Sequence, residues 1–323
     1  MSEGYMVAVV GAGLVGDRLV AELRRRDFPI KELRILARSA RTTVLAGESF
    51  EVGVAEPEAF EGVDFAFFAG TEGEKGAAVQ LAREAISRGA LVIDNGSDFR
   101  LDPDVPLVVP EVNAEALEGH DGLIANANCS TIQMVVTLAP LAREFGVENV
   151  VVSTYQAVSG SGRGGVDALE DGREDVYPKP IHGNAIPLIG SIGEDGRTTE
   201  ETKMVRESRK IMDLPELEVH ATAVRIPVHT GHSESVYVEL ERPVTLEEVT
   251  EALSGAPGVS FSGNANAFPT PLEHAGDSGV HVGRLRVFGR VVEYWCVSDN
   301  LLKGAATNAV QIAESLVGVH ARA

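Results

Sequence analysis

Two kinds of hydrophobic patterning follow one another along the chain. Through the first 128 residues, short and mostly apolar runs alternate with amphipathic stretches. The runs are Tyr5–Val10, Glu32–Ala37, Asp64–Ala69 and Leu91–Asp94, with two shorter ones near Leu107 and Leu123. Runs of this kind suit strands buried on both faces, as in parallel sheets. Between them, Leu19, Val20 and Leu23 mark the apolar face of a helix ending near Arg26, and a second helix covers Gly76 to Arg88. This alternation predicts a Rossmann-type, doubly wound parallel sheet.

A longer helical pattern, Thr131 to Phe145, sets Ile132, Val135, Val136, Leu138 and Leu141 on one face, with Pro140 as a kink. Beyond it the pattern changes. Strand-like runs at Val147–Ala157, Val219–Val228, Ser233–Glu241, Val280–Phe288 and Val291–Ser298 are close-spaced, with Phe288-Gly289-Arg290 a tight turn. Helical segments at about Thr199–Met212 and Leu246–Leu253 lie between them. This predicts an α+β, mostly antiparallel second domain. The final helix, Lys303 to Val319, has its apolar face at Ala306, Val310, Ile312 and Leu316 and is expected to rejoin the first domain. The expected division is 1–128 completed by 303–323, and 129–302.

Composition narrows the function classes. The 323 residues are 44% hydrophobic, enough for ordinary cores, and no apolar run approaches the ~18–20 residues of a membrane span. With no signal-peptide pattern either, a soluble cytoplasmic protein is expected. The formal charge of -20 argues against nucleic acid and anionic membranes as partners. Two cysteines, Cys129 and Cys296, make no disulfide framework, and no Cys/His spacing reads as a zinc site, so no metal is expected. An anionic substrate would need arginines and lysines gathered locally against the global field.

Three stretches carry candidate chemistry. Gly11-Ala12-Gly13-Leu14-Val15-Gly16 follows a strand and opens a helix, the context a dinucleotide fingerprint requires. Its alternative is a plain structural turn. The acid that holds a ribose 2′-hydroxyl in NAD sites is replaced by Arg38, with Ser39 and Arg41 beside it. A guanidinium matches a 2′-phosphate, which favours NADP, unless this is only a solvated basic loop. Cys129, in Asn126-Ala-Asn-Cys-Ser-Thr131, would sit at a helix N-terminus, where unpaired N–H groups favour a thiolate. A buried, inert cysteine is the competing reading.

In the second half, Gln156 ends a strand before a glycine-rich turn, Glu200 and Lys203 share a helix face, and Arg225 precedes His229 and His232. Spacing alone reads Glu200 and Lys203 first as a surface ion pair and leaves the histidines equally open as hydrogen-bonded loop residues. It supports a nicotinamide-dependent enzyme with a candidate Cys/His pair.

The chain resembles the aspartate-β-semialdehyde dehydrogenase family over nearly its whole length. The matching stretches include Arg24-Arg-Arg-Asp-Phe-Pro29, Val92-Ile-Asp-Asn95 with Phe99-Arg100, and Val109-Pro-Glu-Val-Asn113. They continue through the Cys129 motif, Tyr155-Gln-Ala-Val-Ser-Gly160, Asn184-Ala-Ile-Pro187 and Glu200-Glu-Thr-Lys-Met204. Arg225-Ile-Pro-Val228, His232-Ser-Glu234, Val282-Gly-Arg284, Val297-Ser-Asp-Asn-Leu301, Lys303-Gly-Ala-Ala306 and Asn308–Glu314 complete them.

The resemblance implies a role for each of these residues. Cys129 is the nucleophile and His232 the general acid/base; Gln156 orients the substrate, and donors near Asn128 stabilise the oxyanion. Arg225 pairs with the substrate α-carboxylate and Glu200 with its amino group, while Arg100 and Lys203 bind phosphate. Gly11 to Gly16, Arg38, Ser39, Gly70, Asn95, Ser159, Gly160 and Gln311 line the cofactor site. The implied reaction is NADPH-dependent reduction of 4-aspartyl phosphate to L-aspartate 4-semialdehyde and phosphate through a cysteine thioester. It serves lysine (by way of diaminopimelate), threonine, methionine and isoleucine biosynthesis. A homodimer or dimer of dimers is implied, with closure of the two domains on the cofactor.

Three features depart from the family pattern. The glycine loop is one residue shorter, the stretch Ala37–Ala40 is also shorter, and Gly96 replaces a serine, with Ser97 able to supply the hydroxyl. Three rival readings are weaker. An N-acetylglutamyl-phosphate reductase would have no use for Glu200 and Arg225. A silent dinucleotide-binding homologue would lack Cys129 or His232, and a cysteine hydrolase leaves the Gly11–Gly16 loop without purpose. Cys296, in an apolar strand beside Trp295, reads as core.

Overall fold

The structure, a computed structural model, describes residues 4–70 and 73–317. Thr71 and Glu72 of the expected Gly70–Gly73 loop, and residues 318–323 of the expected C-terminal segment, lie outside the described residues. The chain forms two compact units: residues up to Ala127 together with those from Ala305, and Asn128–Gly304.

The first unit holds an eight-stranded sheet in the order β3-β4-β2-β1-β5-β6-β8-β7. Its strands are β1 (Tyr5–Val10), β2 (Ile30–Ala37), β3 (Arg41–Leu45), β4 (Glu48–Val54), β5 (Phe65–Phe68), β6 (Leu91–Asp94), β7 (Leu107–Val108) and β8 (Leu123–Asn126). The helices are α1 (Leu14–Arg25), α2 (Ala77–Ser87), a short α3 (Pro110–Asn113) and, from the C-terminal segment, α9 (Thr307–Val317).

The apolar runs have their physical reason in the core. Val7, Val9, Phe65, Phe67, Ile93 and Ile124 meet Leu19, Val20 and Leu23 of α1 and Ala309, Val310, Ile312 and Ala313 of α9. Each fully buried Val, Leu, Ile or Phe contributes about 1.5–3 kcal/mol. Polar groups fasten α9 as well. Arg26 donates twice to the Glu314 carboxylate, at 2.8 and 2.5 Å, and Thr307 Oγ donates to Glu22 Oε2 at 2.8 Å.

The sheet is parallel throughout except at one edge, where β3 and β4 pair antiparallel. Sequence patterning did not single out this hairpin. Its strands are mostly exposed, so they lack an apolar run, and its turn, Ala46-Gly47, has positive φ at both residues without an Asn or Asp to announce it.

The second unit holds a six-stranded sheet in the order β10-β9-β11-β14-β13-β12. Its strands are β9 (Val147–Gln156), β10 (Glu218–Arg225), β11 (His232–Leu240), β12 (Val259–Phe261), β13 (Val280–Phe288) and β14 (Val291–Ser298). Three of its five pairings are antiparallel: β11 with β9 and with β14, and β13 with β14. The hairpin between β13 and β14 turns at Gly289, φ 64°.

Helices α4 (Cys129–Phe145), α5 (Gly162–Glu170), α6 (Thr199–Met212), α7 (Leu246–Ser254) and a one-turn α8 (Pro271–His274) complete the unit. Helix α4 differs from the single apolar face expected. Ser130, Thr131, Gln133 and Thr137 are buried along with its aliphatic residues, so it is enclosed on all sides. Helices α6 and α7 each start in a full capping box, Thr198 with Glu201 and Thr245 with Glu248. No helix among the described residues is long and apolar enough to cross a membrane.

Candidate active site

The candidate residues fall in both units. In the second unit they collect around the first turn of α4. Asn128 is the N-cap, its Oδ1 accepting from the N–H groups of Ser130 and Thr131 at 3.0 and 3.1 Å. This sets Cys129 as the first helical residue, at the positive end of the helix dipole.

Helix α6 supplies the acids that hold the cap. Glu200 Oε1 accepts from Asn128 Nδ2 at 2.9 Å and from Gln156 Nε2 at 3.2 Å, and Glu207 Oε2 accepts from the Asn128 N–H at 2.7 Å. Gln156 also donates to Ser130 Oγ at 2.7 Å. Lys203 Nζ lies 3.8 Å from Glu200 Oε2. Glu200 is therefore a buried hub rather than half of a solvated surface pair.

Parallel pairing of β10 with β9 puts Arg225 beside Gln156. The Arg225 guanidinium donates to the Ala157 carbonyl at 2.5 Å, and its Nε has no hydrogen-bond partner. A buried guanidinium with an unused donor suits an incoming carboxylate. Burial pulls the Arg225 pKa down, while Tyr177, Glu200 and the Cys129 thiolate oppose that.

His232 opens β11, 1% exposed. The Ala157 N–H donates to its Nδ1 at 3.1 Å, which places the proton of the neutral ring on Nε2, an atom with no protein partner. Burial, and then the Arg225 charge, push its pKa well below the ordinary histidine value.

Gly160 lies between these two side chains. A Cβ there would stand 2.9 Å from an Arg225 terminal nitrogen and 3.4 Å from the His232 ring. Ser159 Oγ pairs with the Asn300 amide, whose Oδ1 also accepts from the Gly231 N–H at 2.9 Å. His229 does not join the group: it is exposed and 3.7 Å from Glu170.

Sequence reading missed Glu207, although it lies one helical heptad past Glu200 on the same face, a spacing that could have revealed it. It also gave no role to Glu234, which is wholly buried and has Cys296 as its sulfur donor at 3.7 Å. Burial raises the Glu234 pKa to about 8. Cys296 is buried as expected, and burial pushes its thiol well up.

In the first unit the Gly11–Gly16 loop forms a cradle. A Cβ at Gly11 would lie 2.6 Å from the Ala69 carbonyl oxygen, and one at Gly16 would lie 1.9 Å from the Gly11 carbonyl oxygen. Gly11 also has φ 119°, and Gly70 follows the adjoining Ala69. Helix α1 begins at Leu14 and Val15, after Ala12 and Gly13, with no side chain capping it. Its N–H groups are thus available to an anion such as a pyrophosphate, and the residues present fit a dinucleotide.

Arg38 and Ser39 are exposed just past β2. Asn95 follows β6; its amide donates to the Phe68 carbonyl at 3.0 Å and accepts from Asn126 at 2.7 Å. Arg100, buried, donates to the Asn95 carbonyl at 2.8 Å. Gln311 on α9 donates to Glu111 at 2.8 Å. Gly96 has a local reason: its N–H donates to Asp94 at 2.9 Å, and a Cβ would press within 3.1 Å of that carboxylate.

Fold and site together define a two-domain oxidoreductase of the semialdehyde dehydrogenase class. Residues 6–120 match the family model "Semialdehyde dehydrogenase, NAD binding domain", and residues 138–303 match "Semialdehyde dehydrogenase, dimerisation domain". An aspartate-semialdehyde dehydrogenase of Bacillus subtilis is 46% identical, the match covering 98% of each chain. The crystal structure of aspartate semialdehyde dehydrogenase II from Vibrio cholerae, complexed with ASA, superposes with a TM-score of 0.92 at 40% identity, covering 99% of this chain and 100% of that one. An aspartate semialdehyde dehydrogenase from Candida albicans, solved with NADP, gives 0.76 at 26% identity over 97% and 98% of the two chains. The chain belongs to the aspartate-semialdehyde dehydrogenase family.

Proposed function

We propose that the chain reversibly reduces 4-aspartyl phosphate to L-aspartate 4-semialdehyde and phosphate with NADPH, through a thioester on Cys129. The observation that carries this reading is the hydrogen-bonded ring of Asn128, Glu200, Gln156 and Ser130 around the Cys129 helix end, with Arg225 and His232 flanking Gly160.

The Cys129 sulfur attacks the acyl carbon, forming a C–S bond as the bond to the phosphate oxygen breaks. The α4 dipole and the Arg225 charge support the thiolate, and N–H groups at the helix end stabilise the tetrahedral oxyanion. A reduced dinucleotide held by the Gly11–Gly16 loop would supply hydride chemistry at the thioester carbon. Collapse of the resulting alkoxide breaks the C–S bond and returns the thiolate.

Arg225 binds the α-carboxylate, Glu200 the amino group, and Arg100 and Lys203 the phosphate. Gln156, whose Nε2 donates to both Ser130 and Glu200, orients the acyl group. His232 works through Nε2. In its resting tautomer it is a donor to oxyanion and sulfur, and protonating Nδ1 would face two N–H groups against each other. This favours the acid half of the acid/base role. Ser159, Gly160, Asn95, Gln311 and Gly70 line the nicotinamide side, and Arg38 with Ser39 receives the 2′-phosphate.

The active form is a homodimer. Its support, besides the dimerisation-domain match, is the sheet face bearing Tyr155 and Trp295, whose rings lie 5.4 Å apart and which is not the face α4 covers. Assembly into a dimer of dimers is the next level.

The test is phosphate-dependent reduction of NADP and, in parallel, NAD with L-aspartate-β-semialdehyde, with Cys129→Ala alongside. Activity that needs phosphate, prefers NADP and vanishes in the variant is expected. Equal use of NAD keeps the enzyme and removes the 2′-phosphate role. Folded protein with no activity overturns the reading.

A further inference from the structure

We propose that His274, Asp277 and His281 form a binding site for one divalent transition-metal ion of the zinc class. No familiar zinc spacing announces it: the ligands follow one another as His-x2-Asp-x3-His across the end of α8, a turn and the start of β13. Their ligand atoms lie within 4.8 Å of one another.

The three side chains stand close to, but not in, ligand geometry, and His274 must turn out of its stack before its nitrogen can face the ion. His281 Nε2, in a residue 8% exposed, stands 3.1 Å from Asp277 Oδ2 and is paired with that carboxylate alone. An ion ~2.0–2.1 Å from both atoms would see them at an angle of roughly 100°, within reach of tetrahedral geometry. The His274 ring stacks on the His281 ring with centroids 3.6 Å apart and planes at 17°.

Two charged imidazoles cannot comfortably share that contact, and a ligating imidazole must be neutral. Two ligands of one ion can be no more than about 4.2 Å apart. Loading therefore draws half-buried His274 and exposed Asp277 onto His281, which β13 keeps in place. A nitrogen–carboxylate donor set without thiolate suits zinc and its transition-metal neighbours better than magnesium or calcium.

The site is fastened to the catalytic residues of its unit. The Gly276 N–H donates to Asp299 Oδ2 at 2.8 Å. Asp299 Oδ1 accepts from Leu301 and Leu302, and its carbonyl accepts from Gly304, which packs directly on Cys129. Pro271 presses on Gly231, next to His232, where a Cβ would lie 2.9 Å away. An ion here stiffens the backing of both Cys129 and His232.

The test is titration of chelator-treated, full-length protein with Co²⁺ by visible absorption and with Zn²⁺ by calorimetry, for wild type, Asp277→Asn and His274→Ala. Both substitutions are outside the core, and unfolding of the metal-free variants confirms that they fold. One equivalent should bind per chain without a thiolate-to-cobalt charge-transfer band. Each variant should bind at least about tenfold more weakly, and zinc should raise the Tm of wild type alone. Equal affinity in all three proteins, no binding by wild type, or a thiolate band that the substitutions leave intact would each overturn the site.

Discussion

Single atoms decide what the catalytic unit tolerates. Gly160→Ala adds a methyl group 2.9 Å from an Arg225 nitrogen and in contact with the His232 ring at 3.4 Å, so the Arg225 guanidinium must shift away from its place beside His232. A displacement of this size should lower kcat/KM for the semialdehyde by about 10–100-fold, corresponding to about 1.4–2.8 kcal/mol. Unchanged steady-state kinetics would show that the guanidinium does not need its present position. Glu234 gives a second prediction at this scale. Its folded pKa of about 8 lies above the ordinary 4.5, so between these values the folded chain keeps a proton that the unfolded chain releases. Stability is therefore lost as pH rises from about 4.5 to about 8, by a few kcal/mol at most, and is level beyond. Glu234→Gln, which cannot ionise, should flatten that slope in denaturant midpoints measured across the range; an unaltered slope would place the effect elsewhere. His232 contributes the opposite sign. Its depressed pKa means that stability is lost as pH falls below about 6.5, because the unfolded histidine takes up a proton that the folded one refuses.

At the scale of elements, the site depends on how α4 begins. Asn128 caps the helix, while its N–H and its amide are held by Glu207 and Glu200 of α6. Asn128→Ala removes the cap and leaves Glu200 without one of its two amide donors. A loss of about 1–3 kcal/mol in unfolding free energy is expected, with a fall in kcat that outlasts any destabilisation when measured well below the Tm. Loss of stability without loss of kcat would reduce the cap to a structural part. Element by element, legibility in the sequence followed burial. Strands β6, β13 and β14 and helix α6 lie where the pattern put them, because each carries an apolar run or face with a cap or turn at its end. The glycine-rich turn read from the sequence ends at Gly162, and helix α5, which starts there, is not announced by the pattern, since Gly162, Gly164 and Gly165 argue against a helix. There tertiary packing overrides propensity: a Cβ at Gly165 would lie 2.3 Å from the Val158 carbonyl oxygen. The residues of the site were legible one by one from motifs, but the ring joining Asn128, Gln156 and Glu200 was not, because it depends on strand and helix placement across 72 positions of sequence.

For the molecule as a whole, the formal charge of -20 opposes every anion the reaction uses, and NADP, with its extra phosphate, more than NAD. The proposed preference for NADP would therefore have to come from a cation close to the 2′-phosphate, and Arg38, exposed one residue beyond β2, is the residue proposed for that task. The two contributions respond oppositely to salt. Local attraction weakens as ionic strength rises, and so does the global repulsion; the Debye length shortens from about 30 Å at 0.01 M to about 10 Å at 0.1 M. In the wild type the attraction dominates, so the ratio of kcat/KM for NADP to that for NAD should fall as salt is added. In Arg38→Ala only the repulsive field remains. That variant should lose about tenfold or more of its kcat/KM for NADP, stay within about twofold for NAD, and show a ratio that rises with salt. Matching salt trends in the two proteins would remove Arg38 from cofactor selection and leave the preference to backbone and hydroxyl donors of the loop.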